Sequence, residues 1–240
     1  MERTRLALTA IVAVLALPLV TAARHADRAP YGDHFHRFAA PTAGAAAVRI
    51  RGAAVEAYDR GTGAPRWTYG RRGSRVLALY RAPGHAVALW ADGMVTDTDT
   101  DTDTDTDARR VRWHRAVPGL GAWLTASPAR AAGVLQPLDP DATMLAVVAP
   151  ERVSAFRVAD GDLRWLLPAP GGCAFDPART AHTAGALLLA RPCRGPHRRP
   201  RELVAVDGLG EITPGRTPLG NDLPGRRRAD GGGNRVARPS

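Results

Sequence analysis

The chain contains no lysine: all 33 of its basic residues are arginine. Asparagine occurs only at Asn221 and Asn234, cysteine only at Cys173 and Cys193, and aromatic residues make up 5% of the 240 positions. Missing lysine beside abundant alanine is what GC-rich coding sequence produces, so the arginine content alone says little about partners. After residue 24 no stretch keeps a 3.6-residue apolar period over ten residues, which argues against a helical bundle. The net charge of +10 is unevenly spread. From Arg191 to Ser240 eleven arginines face five acids. The charge therefore sits in a basic tail, with no nucleic-acid module around it, and no nucleic-acid partner is expected.

What is present begins with an export segment. Arg3 and Arg5 precede an apolar run from Leu6 to Val20, and Thr21, Ala22 and Ala23 supply the small residues of a cleavage site. Residues 1–23 read as a signal peptide, or as an uncleaved membrane anchor, since the run extended to Ala23 approaches spanning length. Either places the remainder outside the cytoplasm. Residues 24–44 read as a linker. Within it His25, His34, Asp33 and His36 offer a thin metal-ligand pattern, but the reading adopted is a solvated segment with no metal.

From residue 45 short apolar runs alternate with turn residues. Examples are Ala46 to Arg51, Val55 to Tyr58, His85 to Trp90, Met144 to Val148, Val153 to Val158 and Ala186 to Ala190, with Pro83-Gly84 and Asp92-Gly93 between runs. Glycine allows positive φ without steric cost, so these dipeptides mark tight turns. The expectation is an all-β fold. A repeat narrows it. Ala57-x-Asp59-x-x-Thr62-Gly63-x-x-x-Trp67 has a degraded copy with Ala155, Gly161 and Trp165 at the same offsets, and Trp113 falls between them. The tryptophans are 46 and 52 residues apart, a period typical of repeat architectures. The alanine position is assigned to Ala57, Val95, Ala155 and Ala205, and the aspartate position to Asp59, Asp97, Arg157 and Asp207. On that alignment the Thr-Asp run from Thr96 to Asp107 is an expansion inside one hairpin loop, which is thermodynamically cheap. Six carboxylates at spacing two suggest calcium, but with no glycine and no distal glutamate an acidic surface loop is the reading adopted.

The motif resembles the tryptophan-docking motif of PQQ-like (pyrroloquinoline-quinone-type) β-propeller repeats, over about residues 45 to 220. The resemblance implies about four blades of four antiparallel strands, possibly an incomplete ring because the family closes with seven or eight. Composition and charge, separately, read residues 221–240 as a disordered basic tail. It implies structural roles for Ala57, Asp59, Gly63, Trp67, Trp113, Ala155, Gly161 and Trp165, each tryptophan packing between neighbouring blades. Quinoprotein dehydrogenases of this family use a vicinal Cys-Cys disulfide and a calcium ligand set, neither of which is present here. No catalytic residue, cofactor or metal is therefore expected. The functional expectation is an exported, non-catalytic module binding an unknown protein or ligand at the cell envelope, with self-association through open blade edges. The alternative is a truncated or degenerate relative of a quinoprotein dehydrogenase. The tail from Pro224 carries no strand pattern and resembles out-of-frame reading of GC-rich DNA. Finally, two cysteines in an exported chain are expected to form one bridge, Cys173 to Cys193, at the ends of a hairpin with Cα atoms ~5.5 Å apart.

Overall fold

Sixteen short strands form the architecture of the computed structural model, which describes residues 32–39, 46–100, 111–183, 185–194 and 202–213. They make four four-stranded antiparallel sheets, an all-β, propeller-like succession of blades. The segment read as an export signal and the residues from 214 onward lie outside the described residues.

Sheet 1 holds β1 (Asp33–Arg37), β2 (Ala46–Arg51), β3 (Ala54–Asp59) and β4 (Pro65–Arg71), in spatial order β1-β4-β3-β2. Sheet 2 holds β5 (Val76–Ala82), β6 (His85–Trp90), β7 (Met94–Asp99) and β8 (Val111–Ala116). Sheet 3 holds β9 (Leu135–Pro137), β10 (Met144–Ala149), β11 (Arg152–Arg157) and β12 (Leu163–Pro168). Sheet 4 holds β13 (Thr180–Thr183), β14 (Ala186–Arg191), β15 (Glu202–Asp207) and β16 (Gly210–Glu211). Sheets 2 to 4 run in chain order, each a meander of local hairpins.

Sheet 1 departs from this order and corrects the linker reading. Residues 33–37 form a strand that pairs with β4, from Asp33 opposite Arg71 to Arg37 opposite Trp67. The strand β2, equivalent to β6, β10 and β14 by its place before the motif strand, is left at the sheet's other edge. One of its edge carbonyls, that of Val48, accepts a hydrogen bond from Arg81 Nε of sheet 2 at 2.8 Å. The polar, alternating text Asp-His-Phe-His-Arg hides this strand, because an outermost strand exposes both faces and needs no apolar period.

Three apolar layers lie between successive sheets. Val48, Val55, Ala57, Trp67 and Tyr69 of sheet 1 meet Val76, Ala86, Ala88 and Trp90 of sheet 2. Val87, Leu89, Val95 and Trp113 meet Leu145, Val147, Phe156 and Val158 of sheet 3. Ala146, Val148, Val153 and Ala155 meet Leu187, Leu189, Val204 and Val206 of sheet 4. A seven-residue helix α1 (Leu120–Ala126) buries Leu120 and Leu124 in the second layer. It is too short for helical periodicity to show in the sequence. Among the described residues no apolar layer joins sheet 4 to sheet 1.

Candidate functional site

The chemistry-bearing residues of the repeat converge on the turns between the third and fourth strands, and the turns of sheets 3 and 4 receive the tryptophans of the preceding sheets. In sheet 1 the motif places Ala57 opposite Trp67, with a β-bulge between Ala57 and Tyr58. Sheet 3 repeats this with Ala155 opposite Trp165 and a bulge between Ala155 and Phe156. The missing bulk at alanine leaves room for the indole; Ala57 and Ala155 are fully buried and Trp67 is 1% exposed.

The turns of sheets 1, 3 and 4 are each closed by an aspartate or its stand-in. Asp59 Oδ1 accepts hydrogen bonds from the N–H groups of Gly61 and Thr62, both at 2.9 Å, and Asp59 Oδ2 pairs with Arg66 at 2.7 Å. The Thr62 N–H and the Arg66 guanidinium favour the charged carboxylate and hold its pKa down at about 2. The folded value lies below the usual one, so the contribution of Asp59 is present above about pH 4 and is lost as pH falls from 4 towards 2. Asp59→Asn is expected to flatten the stability profile in that window, measured by chemical unfolding at each pH. An unchanged profile would remove Asp59 as a turn lock.

Sheet 3 reverses the polarity. Arg157 occupies the aspartate position and is bonded to Asp160 and to Asp162, the latter at 2.9 Å. The copy that looks degraded in sequence therefore keeps an ion-paired turn with the charges exchanged. In sheet 4, Asp207 Oδ1 again accepts from a backbone N–H two residues on, that of Leu209, at 2.7 Å.

Sheet 2 corrects the alignment. Its ladder sets Trp113 opposite Asp97, with Val95 opposite Arg115. Asp97, not Val95, stands in the alanine place, and Asp99, not Asp97, stands in the aspartate place. Arg112 pairs with Asp99 at 2.9 Å, as Arg66 pairs with Asp59. The two-residue slip is hidden in the sequence because the aspartate place reads Asp in either register and the apolar Val95 suits the alanine place better than Asp97 does. The structure corrects the acidic-surface-loop reading for the start of the Thr-Asp run, since Thr96 to Asp99 belong to β7 and Thr96, Asp97 and Thr98 are buried; residues 101–107 of the run lie outside the described residues.

A carboxylate thus sits where the repeat has a methyl group. Asp97 is fully buried; its Oδ2 meets His85 Nδ1 at 2.7 Å and its Oδ1 has no partner among the described residues. Burial raises its pKa, opposed by the His85 contact. The sign is opposite to that of Asp59. A carboxyl whose folded pKa is raised binds its proton more tightly when folded, so it removes stability as pH rises from about 4 through the folded value. Asp97→Asn is expected to steepen the overall rise of stability over that interval, where Asp59→Asn flattens the rise at lower pH. A profile unchanged by Asp97→Asn would show that this carboxyl does not titrate differently on folding.

The tryptophans act across the blades. Trp113 Nε1 donates to the Val158 carbonyl of sheet 3 at 2.8 Å, and its ring lies over Gly161. Trp165 Nε1 donates to the Gly208 carbonyl of sheet 4 at 3.2 Å. Both acceptors fall three residues after the alanine position, so one geometry is used twice. In sheet 2 that place is Thr100, the last described residue before Val111. Trp67 Nε1 is buried and has no partner among the described residues.

Gly161 is the position where this docking demands glycine. Its φ is 68°, and a Cβ there would lie 2.5 Å from the Trp113 ring. Gly63 has φ 73° but open space around it, since no indole docks on the first turn. Gly63→Ala should cost only the ~1–2 kcal/mol of left-handed strain. Gly161→Ala should cost clearly more, read as the difference in unfolding midpoints. Equal costs would mean that Trp113 does not bear on the turn.

A second polar cluster ties sheet 1 to sheet 2. Asp33 Oδ2 meets His114 Nε2 at 2.5 Å, Asp33 Oδ1 lies 3.4 Å from Arg71 Nε, and Arg71 Nη1 binds Asp92 at 2.9 and 2.8 Å. Tyr69 OH lies 3.4 Å from His114 Nε2; burial first and the Asp33 charge second push its pKa strongly upward. The Arg71 guanidinium also lies over the Trp90 ring, 5.4 Å from its centre. Sequence reading missed this cluster because its members are 81 residues apart at the extreme, Asp33 to His114. His34 and His36 are exposed on β1, whereas His25 lies outside the described residues.

Cys173 and Cys193 are joined by a disulfide. Their Cα atoms are 3.9 Å apart, closer than the expected spacing, because the two residues face each other as an antiparallel bridge that prolongs the β13–β14 hairpin. Among the described residues no group of three or more His, Cys, Asp or Glu side chains is placed to hold a metal ion.

No protein-family model matches the chain. No curated protein matches it either. Among solved structures, the crystal structure of BamB from Moraxella catarrhalis is similar, with TM-score 0.44 and 17% identity over 70% of this chain. The match spans 52% of that protein's length, about half.

Proposed function

We propose that this chain is an exported, non-catalytic module of the PQQ-like β-propeller type that binds or scaffolds a protein at the cell envelope. The observation that carries the reading is the use made of the repeat's own residues. Trp113 and Trp165 are spent on fastening one blade to the next, through the carbonyls of Val158 and Gly208. The aspartates and arginines of the motif lock turns. The export pattern of residues 1–23 and a disulfide, a bond that persists in oxidising compartments, support the location.

The cofactor chemistry of the quinoprotein enzymes does not fit these residues. The two cysteines are bonded to each other across a hairpin of sheet 4, twenty residues apart, so neither supplies a vicinal Cys-Cys pair. No step through a quinone is derived. The test has two parts. Fractionated cells expressing the full chain are expected to hold it outside the cytoplasm with both thiols oxidised; a reduced cytoplasmic chain would remove the export reading. Purified chain with added quinone and calcium is expected to reduce no artificial dye above a chain-free control. Dye reduction would favour the degenerate dehydrogenase instead.

A further inference from the structure

The two ends of the blade array differ in kind. On sheet 1 the face turned away from sheet 2 carries Arg49, Arg51, Glu56 and Tyr58. Arg49 donates to Glu56 Oε1 at 2.8 Å, Arg51 lies 3.1 Å from Glu56 Oε2, and the Arg49 guanidinium covers the Tyr58 ring at 4.1 Å. Glu56 is 3% exposed and satisfied by both arginines. This is a polar end face, of the sort that closes a repeat array against solvent.

Sheet 4 lacks such a face. The side chains of Leu187, Leu189, Val204 and Val206 pack inward on sheet 3. Strand alternation turns their neighbours outward. Ala181 is opposite Leu188, Leu188 is opposite Ala205, and the Ile212 N–H bonds the Ala205 carbonyl, so these four make one row across the sheet. Ala190 opposite Leu203 makes a second row. Leu203 is 72% exposed and Ile212 40% exposed. None of the six is charged. Asp207 stands only at the turn end, with its Oδ1 engaged by the Leu209 N–H. The strand residues of the sheet, four in β13, six each in β14 and β15 and two in β16, at ~4.8 Å by ~3.3 Å give a patch of about 285 Å², close to the lower end of the largest apolar patches on soluble monomers, which are often interaction sites.

We propose that this face is a self-association surface, on which a second copy of the chain packs sheet 4 against sheet 4 about a two-fold axis. Polarity selects the occupant. An uncharged apolar face matches itself, whereas docking on the partner's sheet 1 would bury the arginine-rich end, with Arg51 still 63% exposed there. Head-to-tail growth into a filament is therefore disfavoured and the pair closes on itself. No further tryptophan follows Trp165 in the chain, so sheet 4 has no indole with which to fasten another blade in the manner of its predecessors. The area, about 285 Å² per copy, is well below that of standard specific interfaces, so the pair should be weak and concentration-dependent.

Sedimentation equilibrium of the full, oxidised chain tests this. A monomer–dimer equilibrium is expected, with no larger species. Leu203→Asp should raise the dissociation constant at least about tenfold, because each copy would bury a charge against apolar surface. Its circular dichroism and melting should stay unchanged, since Leu203 is exposed. Leu163→Asp, on the outer strand of sheet 3, should leave the equilibrium alone. Three results would overturn the proposal: a monomer at all concentrations, a dimer indifferent to both Leu203→Asp and Ile212→Asp, or growth beyond two. A monomer destabilised by Leu203→Asp would show instead that the chain's own C-terminal residues cover the face.

Discussion

Trp67→Ala is expected to lower stability by about 3–5 kcal/mol, the range for removing a fully buried large aromatic. The ring lies at the heart of the layer between sheets 1 and 2, opposite Ala57 and 5.3 Å from the Phe35 ring of the added strand. The loss should appear as a shift in denaturant midpoint with the spectrum of the folded state retained. A comparison with phenylalanine separates packing from hydrogen bonding. Trp113→Phe leaves the Val158 carbonyl without its donor, whereas Trp67→Phe removes an N–H that has no partner among the described residues. The first should therefore be the worse of the two by about 1–3 kcal/mol. If Trp67→Ala melts within a degree or two of the parent, its docking role is wrong. If the two phenylalanine variants are equal, the indole N–H contacts contribute nothing.

Replacing both cysteines by serine is expected to cost roughly 3 kcal/mol, the loop-entropy value for a separation of twenty residues. The effect should concentrate in sheet 4, whose outer strand β16 has only two residues and whose β13 has four. Blade arrays are held by nearest-neighbour interfaces, so the last sheet can open while the first three stay folded. Hydrogen exchange is the suitable measurement: amides of β13 and β14 should lose protection in the double variant, and those of β6 and β7 should keep it. Uniform loss across all four sheets would show that the bridge acts on the whole chain. Two reactive thiols in the denatured, unreduced protein would refute the bridge itself.

The motif with glycine and tryptophan at fixed offsets was enough to expect four four-stranded sheets, because a blade's central strands are buried on both faces and their apolar text is hard to mistake. Two kinds of feature were not legible. The first is the outermost strand β1, whose exposed histidines follow no burial pattern. The second is register at the start of the Thr-Asp run, where apolar Val95 suits the alanine place better than Asp97 and only the pairing of Trp113 with Asp97 reveals the true register. The turn of sheet 3 looked eroded because aspartate had become arginine, yet the ion pair survives with Asp160 and Asp162 on the other side. The docking of Trp113 on Gly161 needs atoms from two blades, and a linear text does not show which turn lies under which indole.

The strand β1 also sets an order of assembly. Its residues pair with partners 30 to 38 positions later, whereas the widest pairing within any other described ladder, Met94 with Ala116, spans 22. Hairpins with near partners close quickly, and distant pairings wait for the intervening chain. As the polypeptide emerges from its N-terminus, β1 has nothing to pair with until β4 has followed it, and Asp33 cannot reach His114 until the last strand of sheet 2 is in place. The first strand made is thus among the last to be fixed within the first two blades, and its docking reports that both of them are complete.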